Sequence, residues 1–426
     1  MASAAMIWIK PTGMRPDPAV CYRRRTMRPE AKIEGHADGR FATVADAFRA
    51  ILEPGGPGAA VCVFHLGVKV VDLWGGAADA RSGRPWQRDT IVPLFSTGKA
   101  AAALVALLAV SRGWLGLDEP LARHWPSFGG HGKDRVTLRH VLDHSSGLVL
   151  FGRPVPRSLI ADRARMSSLL ESMVPRWAPG SRWGYQMGTF GELLSEALRR
   201  VDPGGRPFVQ LFDGLVVGPL GVDLRFGLAD PSAPANLARV RRPSISAAIR
   251  DLRLAPAGLW RQAVDPTSLL QRSGRELRDL DANDPGWMRL PFPSANAVGS
   301  ARGVAGLYAE LVAGGRRLGL DPTVLDDVLA PPRIPPGGGR DQVMGVDLRW
   351  RLGFMRPGPA FPFSRSGRAF GMPGLGGSFG FADPDAGLAY GFAPSRLGVL
   401  PHEDPRERSI RAAALAAAGT PLAAGA

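Results

Sequence analysis

The chain has 426 residues, 45% hydrophobic and 21% charged, so it can bury a sizeable core, and its length is that of about two to three domains. Its net charge of +15 raises the question of a nucleic-acid or membrane partner. The arginines are dispersed, with short clusters only at Arg23–Arg25 and Arg239–Arg242. No basic run is interleaved with aromatics, which excludes a nucleic-acid groove.

The first stretch, Met1 to about Pro29, has methionines, prolines and an arginine triplet without periodicity. It reads as a flexible tail reaching about residue 34, with Met27 as an alternative start. No secretory leader is legible there. The two cysteines, Cys21 and Cys62, form no disulfide framework and fit a reducing, cytoplasmic setting. From Phe41 the spacing of Phe41, Val44, Phe48 and Ile51 predicts a helix. "GAAVCVFHLGVKVVDLWGGAAD" predicts a β-hairpin turning at Leu66-Gly67, with Gly75-Gly76 marking a bulge or turn. "LFSTGKAAAALVALLAVSRGWL" then predicts a helix ending near Gly113 that is apolar on all sides, as a central helix is. Its longest apolar run, Ala100 to Val110, is about half a bilayer span, so no membrane partner is expected from it. "TLRHVLDHSSGL" predicts a short helix capped by Thr137.

Residues 150–290 differ in texture. They are rich in Arg, Ala, Leu and Pro, with helical segments at Thr189–Val201 and Phe208–Val217, and read as an inserted, mainly helical region. From about residue 340 glycine and aromatics return in β-like runs. The expectation is an α+β fold, an antiparallel sheet built from both chain ends and flanked by helices, over residues 35–426.

Ser96 and Lys99 stand three residues apart on one helical face. Lysine is scarce, with only Lys10, Lys32, Lys69, Lys99 and Lys133 in the chain. A serine at a helix start lies near free backbone N–H groups that can hold an oxyanion. A desolvated lysine one turn on can lose its proton and act as a base. The bland alternative makes Ser96 an N-cap and Lys99 a solvated side chain. A second serine, in "GGSFG" at Gly376–Gly380, matches a nucleophile elbow, with Asp383, Asp385 and His402 following in triad order. An elbow needs a helix after the serine. Here an Asp-Pro turn and β-like residues follow, so the glycines read as a close approach of a strand edge. His140, Asp143 and His144 echo an inverted zincin motif without a third ligand, and read as histidines holding a helix–loop junction. Tyr185 is one of four tyrosines. It reads either as a packed aromatic or as a proton-transfer group beside a cation.

Together these stretches resemble the serine β-lactamase-like hydrolases. "FSTGKAAAAL" is similar to that family's S-x-x-K helix and "WGYQMGTFGELL" to its tyrosine motif. "FGMPGLGGSFGFADPDAGLAYGF" is similar to its third motif and the strands behind it. "TLRHVLDHSSGL" and "PSANAVGSARGVAGLYAELVAGG" resemble further segments of the branch that holds family VIII carboxylesterases and relatives of class C β-lactamases. The resemblance runs from about residue 35 to 400. It implies a β-lactamase/transpeptidase-like fold with the active site between sheet and helical region, and no metal or cofactor. It implies that Ser96 is the acylated nucleophile, that Lys99 takes or shares its proton, and that Tyr185 assists deprotonation and protonates the leaving group. The backbone N–H groups of Ser96 and Leu375 would form the oxyanion hole, with Met187, Met372 and Gly374 at the substrate pocket. Where the family's third motif opens with lysine, histidine or tryptophan, this chain has Met372. Met187 stands where β-lactamases place asparagine, and Gln186 where the esterase branch often has histidine. The methionines remove polar grips, which favours a small-molecule ester over a β-lactam. The alternatives are an acyltransferase or transesterase using the same acyl-enzyme, and a catalytically weakened binding protein that keeps the fold.

Overall fold

The structure, a computed structural model, describes residues 31–230, 236–278 and 280–419. Most of the expected tail, with Cys21 and the alternative start at Met27, lies outside the described residues. The chain is already in the sheet at Ile33, where β1 (Ile33–Ala37) begins. It is followed by α1 (Ala42–Ile51), β2 (Ala59–His65) and β3 (Val68–Gly75). The hairpin turns at Leu66 and Gly67, both at positive φ (50° and 79°), which matches the right-handed twist of the paired strands. α1 buries Val44 and Phe48, two positions of its apolar spacing.

β4 (Val92–Phe95) leads into α2 (Gly98–Ser111), in which every residue from Gly98 to Ala109 is buried. An Ala/Leu helix without a polar face must be covered on all sides. α3 (Leu138–Leu142) starts at Thr137, whose hydroxyl accepts from the His140 N–H while the His140 ring accepts from the Thr137 N–H. The region from 150 to 290 is mainly helical, with α4 (Thr189–Val201), a short strand β5 (Leu224–Phe226), α5 (Ile245–Leu252) and α6 (Ala257–Val264). The segment expected as one helix over Phe208–Val217 is α-helical to Phe212 and then takes a π-helical turn from Asp213.

β6 (Ala297–Gly299) pairs with both β4 and β5, which anchors the strand leading to Ser96 to the helical region. Then come α7 (Ala301–Val312), β7 (Trp350–Arg351), β8 (Phe354–Met355), β9 (Phe370–Pro373), β10 (Phe379–Asp383), β11 (Leu388–Pro394) and α8 (Pro405–Ala418). The main sheet runs β1-β3-β2-β11-β10-β9-β8-β7, antiparallel throughout. Its two halves meet where Cys62 of β2 faces Gly391 of β11, so both chain ends build it.

Alternation along the strands gives each face its own cover. Gly391 faces α7 so closely that a Cβ there would lie 2.3 Å from the Ala301 carbonyl oxygen. Phe379 meets the Arg411 guanidinium of α8, 5.8 Å from the ring centroid. α2 lies between α4 on one side and β8 and β9 on the other. The helix that carries Lys99 is thereby fixed at the junction of sheet and helical region.

Candidate active site

Phe95, the last residue of β4, takes φ 51°, a left-handed conformation that is uncommon for a bulky side chain. It swings the chain out of the strand so that α2 starts three residues later, at Gly98. The N-cap position belongs to Thr97, and Ser96 stands before it. The capping alternative for Ser96 is thus absent, and its hydroxyl serves other partners. Tyr185 O–H donates to Ser96 Oγ at 2.7 Å, and Lys99 Nζ lies 3.3 Å from the same oxygen.

Lys99 is fully buried, not solvated. Its amine donates to the carbonyls of Met187 (2.9 Å) and Ser294 (2.5 Å) and sits 4.8 Å from the centroid of the Tyr185 ring. Among the described residues no carboxylate pairs with it, and burial holds its pKa well below that of an ordinary lysine. A neutral amine has two N–H bonds and one lone pair. The two carbonyls take the N–H bonds, which leaves the lone pair for the Ser96 hydroxyl.

Tyr185 is held from behind. Its backbone N–H donates to Asp341 Oδ1 at 3.1 Å, and its ring stacks on Trp350 at 5.6 Å with 6° between planes. Asp341 also accepts from the Val343 and Met344 N–H groups and from Trp350 Nε1. One buried carboxylate therefore positions both stacked rings. The His144 ring packs edge-on against Tyr185 and Trp350, and its Nδ1 accepts from the Gln186 N–H at 3.2 Å. Burial pushes the Tyr185 phenol above its ordinary range and the Ser96 bond opposes this only in part, so Tyr185 is a phenol at neutral pH.

This corner opens into a cavity of about 410 Å³. Met187 and Met372 line it, with Leu259, Leu277, Trp287 and Trp350 among its other walls. Among the described residues that line it there is no lysine, arginine, aspartate or glutamate. Its one imidazole, His402, is held neutral, with burial lowering its pKa to about 4. Leu375 is half exposed at the rim. No hydrogen bond among the described residues occupies the backbone N–H of Ser96 or of Leu375. Gly374 is not a wall residue, contrary to expectation. A Cβ there would lie 2.4 Å from the Leu94 carbonyl oxygen and 2.7 Å from Thr97 Oγ1. Its bare Cα is what brings the end of β9, and with it Leu375, against the Ser96 turn.

The other candidates have structural places. Ser378 is buried, donates to the Leu94 carbonyl at 2.8 Å, and is followed by β10, not by a helix. Asp383 accepts from Ser364 and Asp385 from Ser366, so neither addresses Ser378. His140 belongs to the cap of α3, and Asp143 accepts from the Leu352 N–H at 2.5 Å. Among the described residues no group of three or more His, Cys, Asp or Glu could hold a metal ion. No described helix is long and apolar enough to cross a membrane. Four contributors escaped the sequence reading: the Ser294 carbonyl, Asp341, Trp350 and the ring of His144. His144 lies in a motif that draws the eye for metal binding. The other three are distant in sequence, and their residue types carry no chemical signature.

A β-lactamase family profile matches residues 42–415. Over 376 residues the chain is 31% identical to the esterase/beta-lactamase LipL of Mycobacterium tuberculosis, covering 86% of this chain and 83% of LipL. Among solved structures, a family VIII carboxylesterase superposes with a TM-score of 0.79 at 30% identity, over 91% of this chain and all of the other. A penicillin-binding protein homologue from Caulobacter crescentus superposes with a TM-score of 0.77 at 32% identity, over 91% of this chain and 100% of that one. With that coverage, and with a serine, a lysine and a tyrosine meeting at the edge of the sheet, this chain belongs to the β-lactamase family, as one of its serine hydrolases.

Proposed function

We propose that the protein hydrolyses uncharged carboxylic esters through an acyl-enzyme on Ser96. The observation that carries this is the hydrogen-bonded Ser96–Lys99–Tyr185 corner at the floor of a cavity whose described wall residues include no lysine, arginine, aspartate or glutamate. Ser96 Oγ attacks the ester carbonyl as its proton passes to the lone pair of Lys99 Nζ. The oxyanion is held by the Ser96 and Leu375 N–H groups. Tyr185 O–H gives its proton to the departing alkoxide and regains one from the Lys99 ammonium, so the alcohol leaves and both groups return to their resting forms. Water then adds to the acyl carbonyl, giving up a proton by the same route, and Ser96 leaves with a proton as the acid is released. Ester and water become acid and alcohol with no net proton change in the site.

The wall favours an ester over a β-lactam. A β-lactam antibiotic presents a carboxylate, and a charge entering an apolar cavity without a partner is strongly disfavoured. Met187 and Met372 offer no donor to receive it. The relatives' names, esterase/beta-lactamase and carboxylesterase, support ester hydrolysis and leave the choice against a β-lactam to rest on the wall. A panel of p-nitrophenyl esters and the β-lactam nitrocefin tests it. Hydrolysis of the esters well above that of nitrocefin is expected. Rapid opening of nitrocefin with esters left untouched would overturn the proposal. A fluorophosphonate adduct on Ser96, absent from Ser96→Ala, checks the acyl-enzyme. The intact corner supports catalysis over the binding-protein alternative.

A further inference from the structure

We infer that the segment spanning α5 and α6 is a docking surface for an anionic phospholipid bilayer, which brings lipid-borne esters to the cavity mouth. The last clause rests on the ester reading above, while the docking itself does not. Two kinds of residue alternate here. Ile245, Ile249, Leu254, Trp260 and Val264 are all exposed, Ile245 at 81% and Leu254 at 58%. These five are half of the large hydrophobic side chains exposed among the described residues, gathered in a single segment of the chain. Ile245 and Ile249, like Trp260 and Val264, are one helical turn apart and so share a face. Between 239 and 264 the sequence has six arginines, one aspartate and no lysine or glutamate. Arg239, Arg241, Arg242, Arg253 and Arg261 are exposed, and the aspartate, Asp251, is buried.

The patch is joined to the cavity. Leu259 and Ala263 of α6 face inward as wall, while Trp260, half exposed, reaches both the wall and the surface. α6 is fixed there by close backbone contact, because a Cβ on Gly258 would lie 1.9 Å from the Gly345 carbonyl oxygen. The arginine run is anchored beside the opposite rim. The Arg241 N–H donates to the Ser395 carbonyl and the Leu397 N–H donates to the Arg241 carbonyl, just ahead of the wall residues Val399 and Leu400. Exposed apolar groups on short amphipathic helices, interspersed along the chain with exposed arginines, suit an anionic lipid–water boundary, where apolar groups enter the acyl layer and guanidinium groups meet phosphates. A second copy of the chain is a poor occupant, since each would bring the same arginine-rich face to the other. The expectation of no membrane partner rested on the absence of a spanning run, which peripheral docking does not require.

Co-sedimentation with vesicles tests this, using phosphatidylcholine alone or mixed with phosphatidylglycerol, at low and high salt. The Ser96→Ala protein is measured alongside, so that binding is read without turnover and a failed ester reading leaves the result interpretable. The expected result is binding to the anionic vesicles about tenfold or more above the neutral ones, reduced by salt. Ile245→Ser/Ile249→Ser/Val264→Ser should lose that binding about tenfold while hydrolysing a water-soluble acetyl ester as the native chain does, which also shows that it folds. Arg253→Glu/Arg261→Glu should lose it as well. No preference for anionic vesicles, or equal binding by the serine variant, would overturn the inference. So would a native dimer that the serine variant dissolves, or an acidic polypeptide that binds the patch more tightly than the vesicles do.

Discussion

The floor and the wall of the cavity are built on opposite principles. At the floor, Ser96, Lys99 and Tyr185 are tied by hydrogen bonds of 2.7 and 3.3 Å and backed by buried carbonyls and a carboxylate. At the wall, methionine, leucine and tryptophan side chains present almost no polar atoms to the ligand. The floor depends on direction, so a displacement of a few tenths of an ångström matters there. The wall depends on area and shape, and tolerates exchange of one apolar group for another. Chemistry and selectivity can therefore be changed separately.

The sharpest test of that separation removes the nucleophile. Ser96→Ala should abolish ester turnover, a loss on the order of ten-thousandfold or more, with an unchanged circular dichroism spectrum and melting temperature. Substantial residual turnover would move the chemistry away from this floor. Lys99→Ala and Tyr185→Phe should each lower kcat by on the order of a hundredfold or more, with smaller changes in KM. Full activity in Lys99→Ala would break the mechanism.

The pH profile follows from the buried lysine. Only the neutral amine accepts the Ser96 proton, and burial shifts Lys99 toward that form. Activity should therefore be lost as pH falls through the lowered Lys99 pKa and level off well below the range of an ordinary lysine. The upward shift of Tyr185 places no descending limb near neutrality. His402, with its pKa lowered to about 4, is already neutral above pH 5 and does not shape the limb. A kcat profile of the native enzyme between weakly acidic and alkaline pH checks this. An acid limb that already sets in at about pH 10, the range of an ordinary lysine, would contradict it.

Smaller effects are expected nearer the wall. Gly374→Ala pushes a methyl toward the Leu94 carbonyl and Thr97, and should lower kcat by about tenfold with a stability loss of about 1–3 kcal/mol in urea unfolding. Met372→His puts a polar ring into the apolar wall. It should raise KM for an octanoyl ester by about tenfold at most while leaving kcat for an acetyl ester within about threefold. A gain in kcat would show that the methionine hinders the floor as well, and would erase the division drawn here.

The floor was more legible in the sequence than the wall, for a physical reason. S-x-x-K works through a helical period and the glycines of "PGLGGSFG" through a close approach, so both leave a local trace. The apolar face of α1, the hairpin at Leu66-Gly67, the cap at Thr137 and the strands built from both chain ends are likewise short-range patterns. The wall is assembled from segments as far apart as Leu259, Met344 and Leu400, and an apolar residue facing a ligand looks in sequence like one facing the core. Gly374 shows the limit at a single position. Its type marks a tight place, but only the structure shows that the tight partner is the nucleophile turn and not the ligand. Asp341 is similar, since a carboxylate that gathers three backbone N–H groups and an indole has no local motif.

The seam between Cys62 of β2 and Gly391 of β11 also bears on how the protein is made. A ribosome emits the β2–β3 hairpin and the apolar α2 long before the strands that cover them. Until β9 to β11 emerge, Ala100–Ala109 have no sheet to bury against, and Ser96 has no Leu375 beside it. Contacts so remote along the chain form late and expose apolar surface in the interim. The pairing of Ser96 with Leu375 therefore waits for the C-terminal strands. A truncation anywhere before Pro394 is expected to yield aggregating protein, and not a smaller active enzyme.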